Sequence, residues 1–140
     1  MADKNCGYCM GGETLDAFGI PICDLRVSKL ILFREQTHLG RCIVAYKDHV
    51  GEMIDLTDDE RNLFFSDVNR AAKAIHATVH PDKLNYGAYG DTGGHLHVHL
   101  VPKFRDQEEW GGTFDMNPAK KYLSQEEYDF LCARIVKNLV

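Results

Sequence analysis

The sequence predicts an α+β fold built around an antiparallel sheet of about five strands. Three observations support this class: short apolar runs typical of strands, connections of hairpin length, and two capping boxes that each precede apolar residues at helical spacing. Strands and helices in this order favour an antiparallel sheet with helices packed against it. At 140 residues the chain is long enough for one domain with its own core, so we expect a single domain over residues 1–140.

The first half of the chain contains a predicted pair of strands. Residues 27–34 and 41–47 are rich in Ile, Leu, Val and aromatic residues, and residues 36–40 can join them as a hairpin loop. A shorter strand is predicted near residues 22–25. The glycine-rich residues 1–20 show neither a strand nor a helix pattern, so we expect this segment to be irregular.

Two helices are predicted from their capping boxes. Thr57 and Glu60 form the first box, in which the hydroxyl accepts from one backbone amide and the carboxylate accepts from the other. Apolar residues at spacings of three and four then mark one helix face from about residue 58 to 79, and Pro81 ends the pattern. A second capping box at residues 124–127 begins a C-terminal helix.

Two further strands complete the predicted sheet. Residues 84–90 form one strand, and a glycine-rich turn leads into the other over residues 95–103. This last strand contains the run His95-Leu96-His97-Val98-His99-Leu100-Val101, in which histidine alternates with aliphatic residues. Because successive side chains on a strand point to opposite faces, the three imidazoles share one face and the aliphatic side chains share the other. Residues 104–123 are expected to be irregular.

Composition and charge argue against several classes of protein. A net charge of −5 argues against a broad nucleic-acid-binding surface, and no apolar run approaches the roughly 20 residues of a membrane span. The polar N-terminus shows no signal peptide, so we expect a cytoplasmic protein without nucleic-acid or membrane partners. The five cysteines are an odd number, and a reducing compartment would keep them as thiols.

Three kinds of site are compatible with the histidine strand. The imidazoles could bind a catalytic metal, although three rings spread over about 13 Å of strand could not all reach one ion at about 2 Å. They could instead form a solvated structural face. In the third interpretation one histidine is a nucleophile and the others surround it, because neutral imidazole is a good nucleophile near pH 7.

The histidine run resembles the signature of the histidine triad (HIT) superfamily of nucleotide hydrolases and transferases. That signature is His-φ-His-φ-His-φ-φ, with φ apolar, and residues 95–101 match it at all seven positions. Residues 84–91 and 40–50 are similar to neighbouring strands in a zinc-containing bacterial branch of the superfamily. The resemblance covers about residues 5–105 and implies a HIT-like fold, with one long helix after the central strand and a C-terminal helix.

The resemblance also implies a reaction and its catalytic residues. His97, the middle histidine, would attack the α-phosphorus of a nucleoside phosphoramidate or dinucleoside polyphosphate. The resulting nucleotidyl-histidine intermediate would then be hydrolysed by water. His99 would contact the phosphate region and assist the leaving group. The superfamily further implies a small nucleotide substrate and a homodimer.

Five residues occupy positions that resemble substrate contacts of the superfamily. Asp91 and Thr92 fall at polar phosphate contacts, while Glu35 and Asn85 lie on the ribose side. Glu35 is equally compatible with an exposed charge at a strand end. Arg41 stands where many members carry a fourth histidine, and its permanently charged guanidinium could clamp a phosphate oxygen but could not act as an acid or base.

The pair Cys6 and Cys9, spaced as Cys-x-x-Cys, is half of a possible metal site. Alone it could be redox-active or incidental, since a structural zinc ion needs two more ligands. The resemblance supplies these as His49 and His95, which gives a complete Cys₂His₂ set for structural Zn²⁺. The remaining histidines are expected at exposed positions: His38, His76 and His80.

Two alternatives to the nucleotide hydrolase remain open at this point. The fold could serve a nucleotide-binding or sensing module with little turnover, or a zinc-dependent hydrolase in which a triad histidine is a metal ligand. Trp110 is also open to two interpretations. It could be a partial core or dimer-interface residue, or residues 110–114 could line the pocket for the base.

Overall fold

One antiparallel sheet forms the centre of the computed structural model, which describes residues 3–140. Its strands are β1 (Gly19–Asp24), β2 (Ser28–Phe33), β3 (Cys42–Tyr46), β4 (Lys83–Gly87) and β5 (His97–Lys103). They lie in the order β1-β2-β3-β5-β4, and all four neighbouring pairs are antiparallel. The predicted α+β class and five-stranded sheet are confirmed.

Within residues 3–140, four α-helices accompany the sheet: α1 (Gly7–Met10), α2 (Gly12–Asp16), α3 (Asp58–Val79) and α4 (Gln125–Lys137), with a short 3₁₀ turn at Met53–Asp55. Both long helices begin at the predicted capping boxes, and Thr57 Oγ1 accepts from the amide of Glu60 at 3.2 Å. α3 ends at Val79 and is capped by His80, which adopts a left-handed conformation with φ 51°. Among the described residues, no helix combines the length and apolar character that crossing a membrane requires.

The expectation of an irregular N-terminal segment is wrong for residues 7–16. Two one-turn helices lie there, closed by hydrogen bonds such as that from the amide of Gly11 to the carbonyl of Gly7 at 2.8 Å. Leu15, which is 4% exposed, packs with apolar residues of β2 and β3 and holds this segment on the sheet. Tertiary packing therefore stabilises helices that are too short to leave a periodic pattern in the sequence.

The two faces of the sheet have different partners. The larger core lies on one face, where α3 and α4 pack on side chains such as Leu30, Val44 and Leu100. A smaller cluster that includes Ile31, Phe33 and Ile43 lies on the other face. Because Ile43 pairs with His99 and Ala45 pairs with His97 in the β3–β5 register, the histidines share this second face and are not covered by the long helices.

Candidate active site and metal centre

A cleft of about 1030 Å³ lies over the histidine face of the sheet. Its walls come from four parts of the chain: the N-terminal segment, the inner strands, the turn before β5, and residues 113–117. Two histidines of the triad, His97 and His99, line it. The apolar and aromatic residues of its lining are Tyr8, Phe18, Phe33, Ile43, Tyr89, Phe114 and Met116.

His97 is held with one ring nitrogen free toward the cleft. Its Nδ1 lies 2.6 Å from the carbonyl oxygen of His95, and since a carbonyl only accepts, Nδ1 must carry the proton. Nε2 therefore keeps its lone pair. Burial lowers the pKa of His97, although the hydrogen bond to His95 opposes this, so the ring is neutral at neutral pH. A neutral imidazole with an available nitrogen has the form that a nucleophile requires.

The turn before β5 brings the backbone close to this ring. Gly90 has φ +126°, in the region that favours glycine, and a Cβ built there would lie 3.8 Å from Cε1 of His97. Asp91 and Thr92 follow in the same turn and line the cleft as exposed residues, at the positions predicted for phosphate contacts. Asn85 lies in β4, half-buried, and is not among the described residues that line the cleft.

His99 contacts the guanidinium of Arg41. The distance from Nη2 of Arg41 to Nδ1 of His99 is 3.2 Å. Burial, then the positive charge of Arg41 and the neighbouring His97, lowers the pKa of His99 from 6.5 to about 3. The ring is therefore uncharged over the physiological pH range.

The predicted phosphate clamp at Arg41 does not fit its surroundings. The side chain is 0% exposed, and its guanidinium lies 4.0 Å from the ring centroid of Phe33 and 5.0 Å from that of Phe114. Nη1 donates to the carbonyl of Asp115 at 3.1 Å and Nη2 to that of Met116 at 2.9 Å, while the buried Nε has no hydrogen-bond partner among the described residues. Burial lowers the pKa of Arg41 to about 10, which leaves it charged at neutral pH. Arg41 thus lies beneath the cleft wall instead of in the cleft.

Glu35 lies outside the cleft lining and accepts hydrogen bonds from the backbone of the chain. It is 4% exposed, which contradicts the alternative of an exposed strand-end charge. Its carboxylate accepts from the amides of Thr37, Lys120 and Lys121 at 2.7–2.9 Å. Burial alone would raise the pKa of Glu35, but these bonds and the one from the Thr37 hydroxyl outweigh it, so the pKa is lowered. Its observed partners are therefore structural.

The four predicted metal ligands meet beside the cleft. Cys6, Cys9, His49 and His95 each offer one ligand atom, and these four atoms all lie within 4.8 Å of one another. The individual separations include 3.4 Å from Sγ of Cys6 to Nδ1 of His95, and 3.2 Å between the two Nδ1 atoms. Bond lengths of about 2.3 Å for Zn–S and about 2.0 Å for Zn–N would place tetrahedral neighbours about 3.3–3.8 Å apart. The cluster therefore fits a tetrahedral zinc ion.

A second hydrogen bond prepares His95 for that role. Its Nε2 lies 2.7 Å from the carbonyl oxygen of Tyr46, so Nε2 carries the proton and Nδ1 is left as the ligand atom. The carbonyl group of His95 meanwhile orients His97. One residue thus joins the metal cluster to the site of the candidate nucleophile.

Tyr8 also lies between the cluster of candidate metal ligands and His97. The only sequence signal for it is its position between Cys6 and Cys9. Its ring stacks on that of His97, with centroids 4.9 Å apart and planes 29° apart, and lies 5.3 Å from the ring of His95. The segment that carries two of the predicted metal ligands therefore also covers one face of His97.

The other histidines and Trp110 differ in part from expectation. His76 and His80 are exposed as predicted, but the prediction for His38 is wrong, because it is 2% exposed and its Nε2 lies 2.6 Å from a carboxylate oxygen of Glu109. Trp110 is 41% exposed and lies outside the described cleft lining. The end of the 110–114 segment does reach the cleft.

Residues 104–123, which we call the C-terminal loop, supply a cleft wall that the sequence analysis raised only as one of two interpretations of residues 110–114. Buried polar groups hold it in place: Arg41 and Glu35 as described, and Lys103, whose ammonium donates to the carbonyls of Glu109 and Gly112 at 2.5 Å. The only available signal was the presence of several charged residues inside or beside apolar strands. Such residues need buried partners, but the sequence does not say which.

Comparisons with known proteins agree with this geometry. A family model described as the HIT domain matches residues 34–106. A histidine triad protein from Sinorhizobium meliloti 1021 shares 25% identity, with 91% of this chain and 95% of that chain covered and a TM-score of 0.83. No curated protein matches significantly.

Two further solved structures support the fold. A histidine triad protein from Bradyrhizobium japonicum has 19% identity and a TM-score of 0.83, over 92% of this chain and 96% of that chain. A zinc-bound histidine triad family protein from Mycobacterium smegmatis has 22% identity and a TM-score of 0.61, over 89% of this chain and 88% of that chain. These two similarities show the fold alone. The chemistry has to be inferred from the residues of this chain.

Proposed function

This chain belongs to the HIT domain family, and on that premise we propose that it is a nucleotide hydrolase or nucleotidyl transferase whose nucleophile is His97. The observation that carries the proposal is the fixed tautomer of this residue. Nδ1 donates to the carbonyl of His95, so the lone pair of Nε2 is available in the cleft. Imidazole in this form can attack an electrophilic phosphorus without first losing a proton.

The proposed substrates are nucleoside phosphoramidates or dinucleoside polyphosphates, cleaved at the α-phosphate. The aromatic and apolar lining of the cleft suits a nucleoside base, as is usual for small-molecule sites. Thr92 offers a hydroxyl to a phosphate oxygen. Asp91 lines the cleft as well, and its carboxylate must point away from the phosphate or be protonated there.

The proposed reaction has two displacement steps. The lone pair of His97 Nε2 forms a bond to the α-phosphorus, and the bond from phosphorus to the leaving group breaks with its electron pair going to that group. Nδ1 keeps its proton and its hydrogen bond to His95, which stabilises the positive charge that develops on the ring. Water then attacks phosphorus, the P–N bond breaks, and one proton of the water passes to solvent. The products are the free nucleotide and neutral His97.

We further propose that the Cys₂His₂ cluster holds a structural zinc ion. Its four protein ligands, Cys6, Cys9, His49 and His95, would close the coordination sphere. A closed site has no open position for water or substrate, which favours a structural role over zinc-activated hydrolysis. Bound there, zinc would fix the N-terminal segment to the sheet.

The proposal is tested by removing His97 and by trapping the intermediate. His97→Ala should abolish turnover and leave nucleotide binding largely intact, because the other contacts remain. Wild-type protein quenched during turnover of an α-³²P-labelled substrate should carry acid-labile label. His76→Gln, an exposed change on α3, is the control. Near-normal kcat in His97→Ala, or substrate consumption without labelled protein, would show that the covalent mechanism is wrong.

One observation favours a nucleotide-binding module with little turnover as the second candidate. His99 is held neutral beside the buried charge of Arg41, so it is a poor source of a proton for a demanding leaving group. Tight nucleotide binding without any labelled protein or product would support this candidate instead.

A further inference from the structure

We propose that Arg41 is a positioning residue that fixes His99 as the tautomer with its proton on Nε2, and that this selects substrates whose leaving group departs without protonation. The inference rests on the proposed function and deepens it. It assigns a role to Arg41, and it narrows the substrate class to phosphoanhydrides such as dinucleoside polyphosphates.

The tautomer follows from the chemistry of the two side chains. A guanidinium has donors only and no acceptor, so Nδ1 of His99, 3.2 Å from Nη2 of Arg41, must accept. A neutral imidazole has one protonated nitrogen, which is then Nε2. Because His99 lines the cleft and Nδ1 is taken by Arg41, the Nε2–H group is the polar atom of this ring that remains for a substrate.

The surroundings of Arg41 keep its guanidinium at this position. It is completely buried between the rings of Phe33 and Phe114, and it also donates to the carbonyls of Asp115 and Met116. Moving away from His99 would break these two part-buried hydrogen bonds and withdraw the guanidinium from both aromatic rings, which is costly. The same guanidinium thus holds both the ring of His99 and the part of the C-terminal loop that lines the cleft.

The two histidines that line the cleft consequently have opposite roles. Their ring centroids are 5.1 Å apart. Nε2 of His97 offers a lone pair, whereas Nε2 of His99 offers a hydrogen-bond donor. The donor can stabilise negative charge on the transferred phosphate or on a departing oxygen, but a neutral imidazole gives up its proton only with difficulty.

Leaving groups respond differently to such a donor. In a dinucleoside polyphosphate the bridging oxygen departs as a stabilised phosphate anion and needs no proton. In a phosphoramidate the nitrogen must be protonated as the P–N bond breaks, and neither His99 nor Arg41 supplies that proton readily. We therefore expect kcat/KM for a dinucleoside triphosphate to exceed that for an alkyl phosphoramidate of the same nucleoside.

The tautomer is measurable in the free protein, independently of turnover. Long-range ¹H–¹⁵N spectra of histidine-labelled wild-type protein, with the signal assigned through His99→Gln, should show protonated Nε2 and unprotonated Nδ1 in His99. Arg41→Met should shift the ring toward the Nδ1–H form, and Arg41→Lys, which keeps a donor, should restore the wild-type form. Protonated Nδ1 in wild type would overturn the proposal, and that result needs no variant to fold.

The substrate preference is tested with Arg41→His. A titratable residue at this position could relay a proton, so the ratio of kcat/KM for the dinucleoside triphosphate to that for the phosphoramidate should fall by about tenfold or more. His76→Gln should leave the ratio unchanged. A wild-type preference for the phosphoramidate would overturn the inference even if labelled His97 is trapped. If no labelled protein is trapped, the covalent mechanism is wrong. The tautomer of His99 measured by NMR is independent of that result.

Discussion

At the scale of single residues, His99 couples folding to pH. Burial, then Arg41 and His97, lowers its pKa from 6.5 to about 3 in the folded protein. In the unfolded chain the ring titrates near 6.5, so between these values the unfolded state binds a proton that the folded state excludes. The stabilisation is fully present above about pH 6.5 and is lost as the pH falls toward about 3.

The free energy of unfolding should therefore decrease in acid, with a contribution from His99 of at most about 1.4 kcal/mol per pH unit. His99→Gln removes the proton-binding group and should make the dependence shallower between about pH 6 and 4. Urea unfolding at several pH values measures this, with His76→Gln as the control. Identical slopes in wild type and His99→Gln would contradict the assignment.

Individual residues were predictable where a role follows from their type and spacing. The ligand set Cys6, Cys9, His49 and His95 meets in the structure, because a resemblance of motifs carries this kind of information. Arg41 and Glu35 were predicted as substrate contacts, but their groups bond to the C-terminal loop. Such partners are more than 70 positions away in sequence, and no local pattern connects them.

At the scale of elements, the C-terminal loop depends on buried charge for its position. Glu35→Gln would replace one carboxylate oxygen with an amide donor, which would face either the amide of Thr37 or those of Lys120 and Lys121. We expect a loss of about 1–3 kcal/mol in stability, since in either orientation a part-buried backbone donor would lose its acceptor and face another donor. The single tryptophan, Trp110, lies in this loop, so its fluorescence should become more accessible to acrylamide.

A matched control exists in the same loop. Glu108 forms an exposed ion pair with Lys120 at 3.2 Å. Surface pairs of this kind contribute about 0–1 kcal/mol, so Glu108→Gln should change stability and quenching little. If Glu35→Gln behaves like Glu108→Gln in both measurements, the loop is not held through Glu35.

The long elements were more predictable than the short ones. α3 spans Asp58–Val79, the predicted range, because a capping box and a long apolar stripe define both its start and its face. α1 and α2 were missed, since a single turn gives no periodicity. β5 begins at His97, two residues after the predicted start, where pairing with β3 begins.

At the scale of the whole molecule, the proposed metal site joins the N-terminal segment to the sheet. Cys6→Ser should lower the melting temperature and reduce bound zinc from about one per chain, because a structural site contributes to folding. The rate of the chemical step in the remaining folded protein should change less. Cys132→Ser, a half-buried cysteine of α4 outside the cluster, is the control. Elemental analysis and thermal unfolding measure both effects, and protein purified without chelator that holds no zinc would contradict the site.

The class of the whole fold was predictable because one strand constrains the others. Strict alternation of histidine with Leu96, Val98 and Leu100 requires one apolar face, and these residues do lie in the main core. The alternation does not predict which parts of the chain cover the opposite face, the one that carries the histidines. That covering comes from α1, α2 and the C-terminal loop, which have no regular pattern in sequence.

The stacking of Tyr8 on His97 has a thermodynamic consequence. The segment of residues 6–9, at the start of α1, belongs both to the proposed metal site and to the lining of the cleft. Two ligands that order the same segment are energetically linked, and the linkage is reciprocal. To whatever extent zinc tightens the binding of a nucleotide that contacts Tyr8, that nucleotide must tighten the binding of zinc by the same factor. The affinity for zinc would then depend on whether the cleft holds a nucleotide, in addition to the contribution of zinc to the stability of the fold.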